Sequence, residues 1–160
     1  MTLAIRAARA GEASLVLTMI RELAEYEKLS DDVVATDAMI DDALFGARPR
    51  VFCEIAEWDG APAGLSLWSY NYSTFTGRRG LYLEDLYVRE AFRGKGVGKA
   101  LLRKLAQRCV DEKLTRLQWS VLDWNEPSIA FYKSLGAYEL GDWLQFRVDG
   151  PALVDLARGD

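Results

Sequence analysis

The sequence predicts a mixed α/β fold, on three observations. Apolar residues recur at helical spacing in two long segments. Strand-like runs rich in leucine, valine and aromatic residues lie around them, and neither repeat nor linker breaks the 160 residues. That length can bury a real core, so residues 1–160 read as a single domain.

Taken in order, residues 3–8 read as a short strand. Leu15, Val16, Met19, Ile20, Leu23 and Tyr26 then share one helical face, which predicts an amphipathic helix to about Lys28. Thr36 can cap a second helix running to about Phe45. Residues 50–58 and 63–72 are strand-like, and Asp59-Gly60-Ala61-Pro62 between them is a hairpin signal. Thr76 to Gly80 is a turn before the strong strand 81–88. Leu101, Leu102, Leu105, Ala106 and Cys109 mark a helix over 98–113 that lies against a sheet, and 116–122 reads as strand. Asn125 is an N-cap with Pro127 in the first turn of another helix, which Gly136 closes where positive φ is easiest. Final strands are expected at 138–140 and 144–149, followed by a short tail around Pro151 to Ala157.

Composition narrows the function. No apolar stretch approaches the roughly 18 residues of a membrane span. Residues 1–11 carry Arg6 and Arg9 within a strand-like alternation in place of a signal core, so a cytoplasmic protein with no membrane contact is expected. Cys53 and Cys109 are too distant for a metal knuckle or a C-x-x-C pair; a reduced compartment is the plainer reading, with a disulfide left open. Histidine is absent. That removes the usual general base near neutral pH and the commonest metal ligand. Ser-His-Asp hydrolases and histidine-ligated zinc enzymes are excluded, and no metal is expected.

Charge is unevenly placed. Residues 22–42 hold eight acids (Glu22, Glu25, Glu27, Asp31, Asp32, Asp37, Asp41 and Asp42) against Lys28 alone. Residues 89–116 hold nine bases against Glu90, Asp111 and Glu112. Each run alone reads as a solvated helix face. Together they suit a molecule that handles one cationic and one anionic ligand. A pI near 5.0 argues against a nucleic-acid partner.

The strand 81–88 runs into Arg93-Gly94-Lys95-Gly96-Val97-Gly98-Lys99 and then a helix. Such a loop is either a plain tight turn or an anion site, because glycines admit close approach and a helix start offers unpaired N–H groups. Ala100 after Gly98-Lys99 departs from the Walker pattern, and Lys99 breaks the dinucleotide fingerprint. What remains is R-x-x-G-x-G, as Arg93, Gly96 and Gly98.

This resembles the acetyl-CoA pyrophosphate loop of the GNAT superfamily of N-acetyltransferases. Leu83-Glu84-Asp85-Leu86-Tyr87-Val88 before the loop and Trp124-Asn125-Glu126-Pro127-Ser128-Ile129-Ala130-Phe131-Tyr132-Lys133 after it are similar to blocks of the diamine (spermidine/spermine) acetyltransferases. So is Arg21 to Glu27 near the start. The resemblance spans most of the chain, with one departure, since Ser134 and Leu135 follow Lys133 where relatives can carry bases. It implies a central, mostly antiparallel twisted sheet flanked by helices on both faces and opened around the cofactor between 81–88 and 116–122. It also implies a homodimer and acetyl-CoA as co-substrate.

Residue by residue, the resemblance makes Tyr132 the general acid. Glu84 and Asp85 face the amine, with Glu84 the principal contact, and Tyr26 and Glu27 meet the substrate. Leu86, Tyr87 and Val88 would line the acyl-pantetheine arm. Gly94, Lys95, Gly96, Val97, Gly98 and Lys99, with Arg93, would hold the pyrophosphate. Asn125, Ser128 and Lys133 would take the cofactor's other side.

The chemistry needs such groups. An alkyl ammonium with a pKa of about 10.4 must lose a proton before attacking a thioester, and a phenol of pKa about 10 can donate to the departing thiolate. Glu84 and Asp85 interrupt an apolar strand, and a carboxylate there needs a cationic partner. Two readings stand: an internal salt bridge to Arg78, Arg79 or a basic residue elsewhere, or a substrate ammonium whose proton Glu84 passes on. Tyr132 is likewise either an aromatic core residue or the acid. The expected reaction is acetyl transfer to a small cationic diamine or polyamine by direct attack in a ternary complex. The alternatives are a thialysine, lysine-like or protein amine as acceptor, or an acetyl-CoA-binding module without turnover.

Overall fold

A computed structural model describes residues 1–159, which fall into two compact units, Met1–Leu122 and the residues from Asp123 onward. The first unit is built from β1 (Leu3–Ala7), α1 (Ala13–Tyr26), α2 (Asp37–Phe45), β2 (Phe52–Trp58), β3 (Ala61–Ser73), β4 (Arg78–Val88), α3 (Val97–Asp111) and β5 (Leu117–Trp119). The five strands form one sheet in chain order, β1-β2-β3-β4-β5. The first three ladders are antiparallel, and β4 and β5 run parallel. The predicted hairpin joins β2 to β3 through Asp59 and Gly60, both at positive φ, as a two-residue turn between right-twisted strands requires.

Period-2 alternation sends the core to both faces of the sheet. Ile55, Leu65, Leu67, Cys53 and Tyr87 pack on one face against Val16 and Met19 of α1, with Ile40 and Leu44 of α2 beside them. On the other face Ala56 and Ala63 meet Val97 and Leu101 of α3, with Leu86, Val88, Trp58 and Phe92 packed around them. Truncating fully buried Leu101 to alanine would cost about 2–5 kcal/mol. The cysteines are free and lie on opposite faces, which closes the disulfide question. The start of α2 follows its sequence signal, the Thr36 hydroxyl accepting from the Met39 N–H at 3.3 Å; ahead of α1, Arg6 holds Glu12 at 2.8 Å and Glu57 of β2 at 2.7 Å.

One buried charge was not anticipated. Glu54 of β2, 3% exposed, accepts from the Trp68 indole N–H and from Arg108 of α3 at 3.2 Å. Arg108 also reaches Glu112 at 3.1 Å, and Glu112 accepts from the Tyr70 hydroxyl at 2.6 Å. This network ties α3 to the sheet.

Two features of β4 give its C-terminal half a character of its own. Its pairing with β5 ends at Leu83–Trp119, so from Glu84 onward no strand among the described residues occupies that edge. Its pairing with β3 slips by one residue: Leu67 faces Asp85 and Trp68 faces Leu83, leaving Glu84 opposite nothing. Glu84 is the extra residue of a β-bulge. The alternation reverses there. Leu83, paired with Trp68, shares the α3 side with Arg108, which lies 4.8 Å over the Trp68 ring; Leu86 and Val88 return to that side after a step of three.

The second unit holds α4 (Glu126–Ser134) and α5 (Gly150–Arg158). Here the structure corrects the sequence reading twice. No strand forms over 138–140 or 144–149. The alternation of Leu144, Phe146 and Val148 is a real period-2 pattern, but a strand exists only against a partner, and that requirement lies outside the segment. The supposed tail is a helix. Its signals are Pro151 in the first turn and Gly159, at φ +82, just past the end.

Candidate active site

The bulge is what sets Glu84 and Asp85 apart from their neighbours. Glu84 is exposed, whereas Asp85 is half-buried. Beyond the bulge Asp85 shares a face with Leu67 and Tyr87, the face covered by α1. Burial pushes its carboxyl up to about 6, and the charges of Glu84 and of Glu27 push the same way. Glu27 follows the last residue of α1 and is itself half-buried and raised by burial. Asp85 thus lies between the charges of its chain neighbour Glu84 and of Glu27 at the negative end of α1, where the helix dipole adds to the preference for a cation.

None of the three has an ion-pair partner among the described residues. The internal salt bridge that the sequence left open does not form: Arg79 lies over the Tyr70 ring at 4.2 Å and reaches Glu112 at 3.9 Å. A half-buried acid facing two others, with no base beside it, is suited to receive an ammonium group.

The glycine loop stands at the end of the same strand. After a 3-10 turn over Glu90–Phe92, Gly94 and Gly96 take φ +74 and +80, and Gly96 directly precedes α3. A Cβ at either glycine would meet nothing within 4 Å, so it is the left-handed backbone that asks for glycine, while the space beside the loop is open. The first N–H groups of α3, at Val97, Gly98 and Lys99, have no acceptor within the helix. Arg93, Lys95 and Lys99 are exposed around them. The Arg93 Nε donates to the Val88 carbonyl at 3.1 Å, and Lys95 lies 5.2 Å over the Trp58 ring. An open cradle of backbone donors ringed by bases fits a phosphate-bearing ligand.

Leu86, Tyr87 and Val88 were read as one lining, but their side chains divide. Leu86 and Val88 pack towards α3, whereas Tyr87 packs towards α1 and its hydroxyl meets Glu22. Glu22 and Arg89 were missed as a pair. Arg89 grips Glu22 at 2.9 and 3.0 Å and donates to the Pro62 carbonyl at 3.3 Å. The two residues belong to the acidic and basic runs, yet nothing local in sequence joins them.

In the second unit, Asn125, Ser128, Tyr132 and Lys133 lie on or at the start of α4. The buried Asn125 side chain accepts from the Ser128 N–H at 3.4 Å, a cap with Pro127 in the first turn behind it. At the other end Gly136, at φ +92, donates to the Lys133 carbonyl, and Ala137 donates to the Tyr132 carbonyl at 3.2 Å. Gly136 closes the helix at positive φ as the sequence predicted, and the structure adds the paired bonds of the stop. They pin the backbone of Tyr132, whose half-buried ring is 5.6 Å from that of Phe131.

Residues 17–137 match the acetyltransferase (GNAT) family. The chain belongs to that family. A thialysine N-epsilon-acetyltransferase of Sus scrofa is 40% identical over 96% of both chains. The human spermidine/spermine N(1)-acetyltransferase-like protein 1 is 34% identical over 96% of this chain and 23% of its own length. Among solved structures, an integron cassette protein from the mobile metagenome of V. cholerae superposes with a TM-score of 0.81 at 26% identity, covering 99% of each chain. This GNAT chain is therefore an acetyltransferase whose family uses acetyl-CoA as co-substrate.

Proposed function

We propose that this GNAT enzyme, acting as a single domain of residues 1–160, acetylates the primary amine of a small cationic acceptor of the thialysine or lysine type. The observation that carries the reading is the gathering of Glu27, Glu84 and Asp85 without an ion-pair partner among the described residues. The 40% identity to a thialysine acetyltransferase favours that acceptor over a diamine. A polyamine is the second reading. It draws on the exposed acids Glu25, Asp31 and Asp32 and on the spermidine/spermine-type relative.

In this reading Glu84 and Asp85 bind the ammonium, and Glu27 with Tyr26 holds the rest of the acceptor. The ammonium gives up its proton towards Glu84, directly or through water, and the free amine attacks the thioester carbonyl. The C–N bond forms, the C–S bond breaks, the Tyr132 hydroxyl supplies the proton that the leaving thiolate takes up, and the second proton shed by the attacking nitrogen restores the phenol. Leu86 to Val88 guide the acyl arm. The loop from Arg93 to Lys99 binds the pyrophosphate, and Asn125, Ser128 and Lys133 bind the cofactor's other side. Neither cysteine is suited to carry the acetyl group: both are buried, and burial pushes the Cys53 thiol up to about 12. Transfer is therefore direct, in a ternary complex. The proposal includes a homodimer working in the cytoplasm, where free thiols persist.

The test is thiol release from acetyl-CoA with thialysine, lysine, putrescine, spermidine, spermine and a short lysine peptide, for wild type and Tyr132→Phe. Turnover led by thialysine or lysine and sharply reduced in the variant supports the proposal. Turnover led by spermidine moves it to the second reading, and tight acetyl-CoA binding without turnover on any acceptor sinks both.

A further inference from the structure

One side chain of the glycine loop reaches the amine half of the site. The Arg93 guanidinium lies over the Tyr26 ring, 5.0 Å from its centroid, while its Nε holds the Val88 carbonyl at the end of β4. Its two Nη groups have no hydrogen-bond partner among the described residues, so they stay available to an anion. Tyr26 is the last residue of α1, and Glu27 and Lys28 (φ +62) carry the chain out of that helix. One turn earlier the Glu22–Arg89 pair, with the Tyr87 hydroxyl on Glu22, fastens α1 to β4 just before the loop. Upstream of this clamp α1 is held by core packing; at its exit the Leu29 N–H donates to the Ala24 carbonyl at 2.8 Å and the Lys28 N–H to that of Glu25 at 3.1 Å, and the Tyr26 ring adds its contact with Arg93.

We infer that Arg93 is a positioning residue that couples the two half-sites. Its edge takes the anionic phosphate while its flat face holds Tyr26, so cofactor binding orders the exit of α1, and with it Glu27, for the amine. The coupling depends on planarity. A guanidinium can offer one surface to a ring and its edge to an anion at once, whereas a lysine ammonium at the same place offers only a point charge. The inference rests on the proposed assignment of the loop to acetyl-CoA and of the α1 end to the amine.

The test measures hydrogen exchange at the amides of residues 23–28 with and without saturating coenzyme A, in wild type, Arg93→Lys, Tyr26→Leu and the double variant. Coenzyme A should slow exchange there in wild type. Each single variant should lose most of that protection although coenzyme A still binds, and the double variant should lose no more than either. With thialysine as acceptor, Arg93→Lys should raise the amine KM about three- to fivefold, the size of one stacking contact, and leave it unchanged in the Tyr26→Leu background. Undiminished protection in Tyr26→Leu, or effects of the two variants that simply multiply, would overturn the coupling. The wider assignment fails separately: a Glu84→Gln variant with normal amine KM removes the amine site and leaves the exchange result standing.

Discussion

Asp85 on β4 and Glu27 at the end of α1 are two half-buried acids of like charge; burial above all, with Glu84 and then Glu27 adding to it, pushes the Asp85 carboxyl up to about 6. A raised acid binds its proton more tightly folded than unfolded. This group therefore favours the native state below its unfolded value, and that contribution is lost as pH rises from about 4 to about 6. Glu12 and Glu112, lowered chiefly by hydrogen bonds from Arg6 and Tyr70, act in the opposite sense in more acidic solution. Without acceptor, the Tm of wild type should fall relative to that of Asp85→Asn as pH rises from about 4.5 to about 6.5. A cationic acceptor should restore wild type selectively above pH 6. Identical profiles for the two proteins would contradict the burial of an unpaired acid at this position.

The same group should control acceptor affinity. Protonation of Asp85 removes a charge that the ammonium needs, so the amine KM should climb as pH falls below about 6, by up to about tenfold per unit. The KM for acetyl-CoA should stay flat over that range. Steady-state kinetics in both substrates from pH 5 to 8 separate the two.

Glu27→Gln combined with Glu84→Gln should raise the amine KM strongly and leave that of acetyl-CoA nearly unchanged. Each charge pair contributes about 1 kcal/mol in water, and more where water is excluded, as around half-buried Glu27. Equal effects on both substrates would remove the acids from the amine site.

Gly96→Ala should have the reverse signature. The methyl finds open space, but φ +80 costs an L-residue about 1–2 kcal/mol. The loop would relax, the KM for acetyl-CoA would rise, and the amine KM would hold. Calorimetric titration with coenzyme A gives the same answer without an acceptor.

Glu54→Ala should lower stability by about 1–3 kcal/mol, since it leaves the buried Trp68 indole N–H without its acceptor while Arg108, partly exposed, keeps Glu112. Thermal unfolding would register this, and the acceptor preference of the surviving folded enzyme should not change.

The sequence was legible wherever the signal was local. Helical spacing placed α1 and α3, Thr36 and Asn125 marked their helix starts, Asp59-Gly60 marked the hairpin, and Gly136 marked the stop of α4. Of the R-x-x-G-x-G glycines, Gly96 takes the left-handed backbone, as does Gly94 inside the run, while Gly98 lies within α3. Each of these is a property of a few consecutive residues and the φ they can adopt.

Tertiary structure decided the rest. Simple alternation would place Glu84 and Asp85 on opposite faces of an even strand; only the register against Leu67 and Trp68 shows a bulge, with Glu84 unopposed and Asp85 facing α1. Arg79, one of the bases that could have paired with the acids of β4, turns to Glu112 at the end of α3. Glu22 with Arg89 and Glu54 with Arg108 pair across long stretches of chain, and the apolar alternation at 144–148 found no strand to join. Capping and turn preferences are written residue by residue because they depend on local backbone geometry. Register, ion pairing and burial depend on which distant segment arrives alongside, and that is set by the packing of the whole sheet.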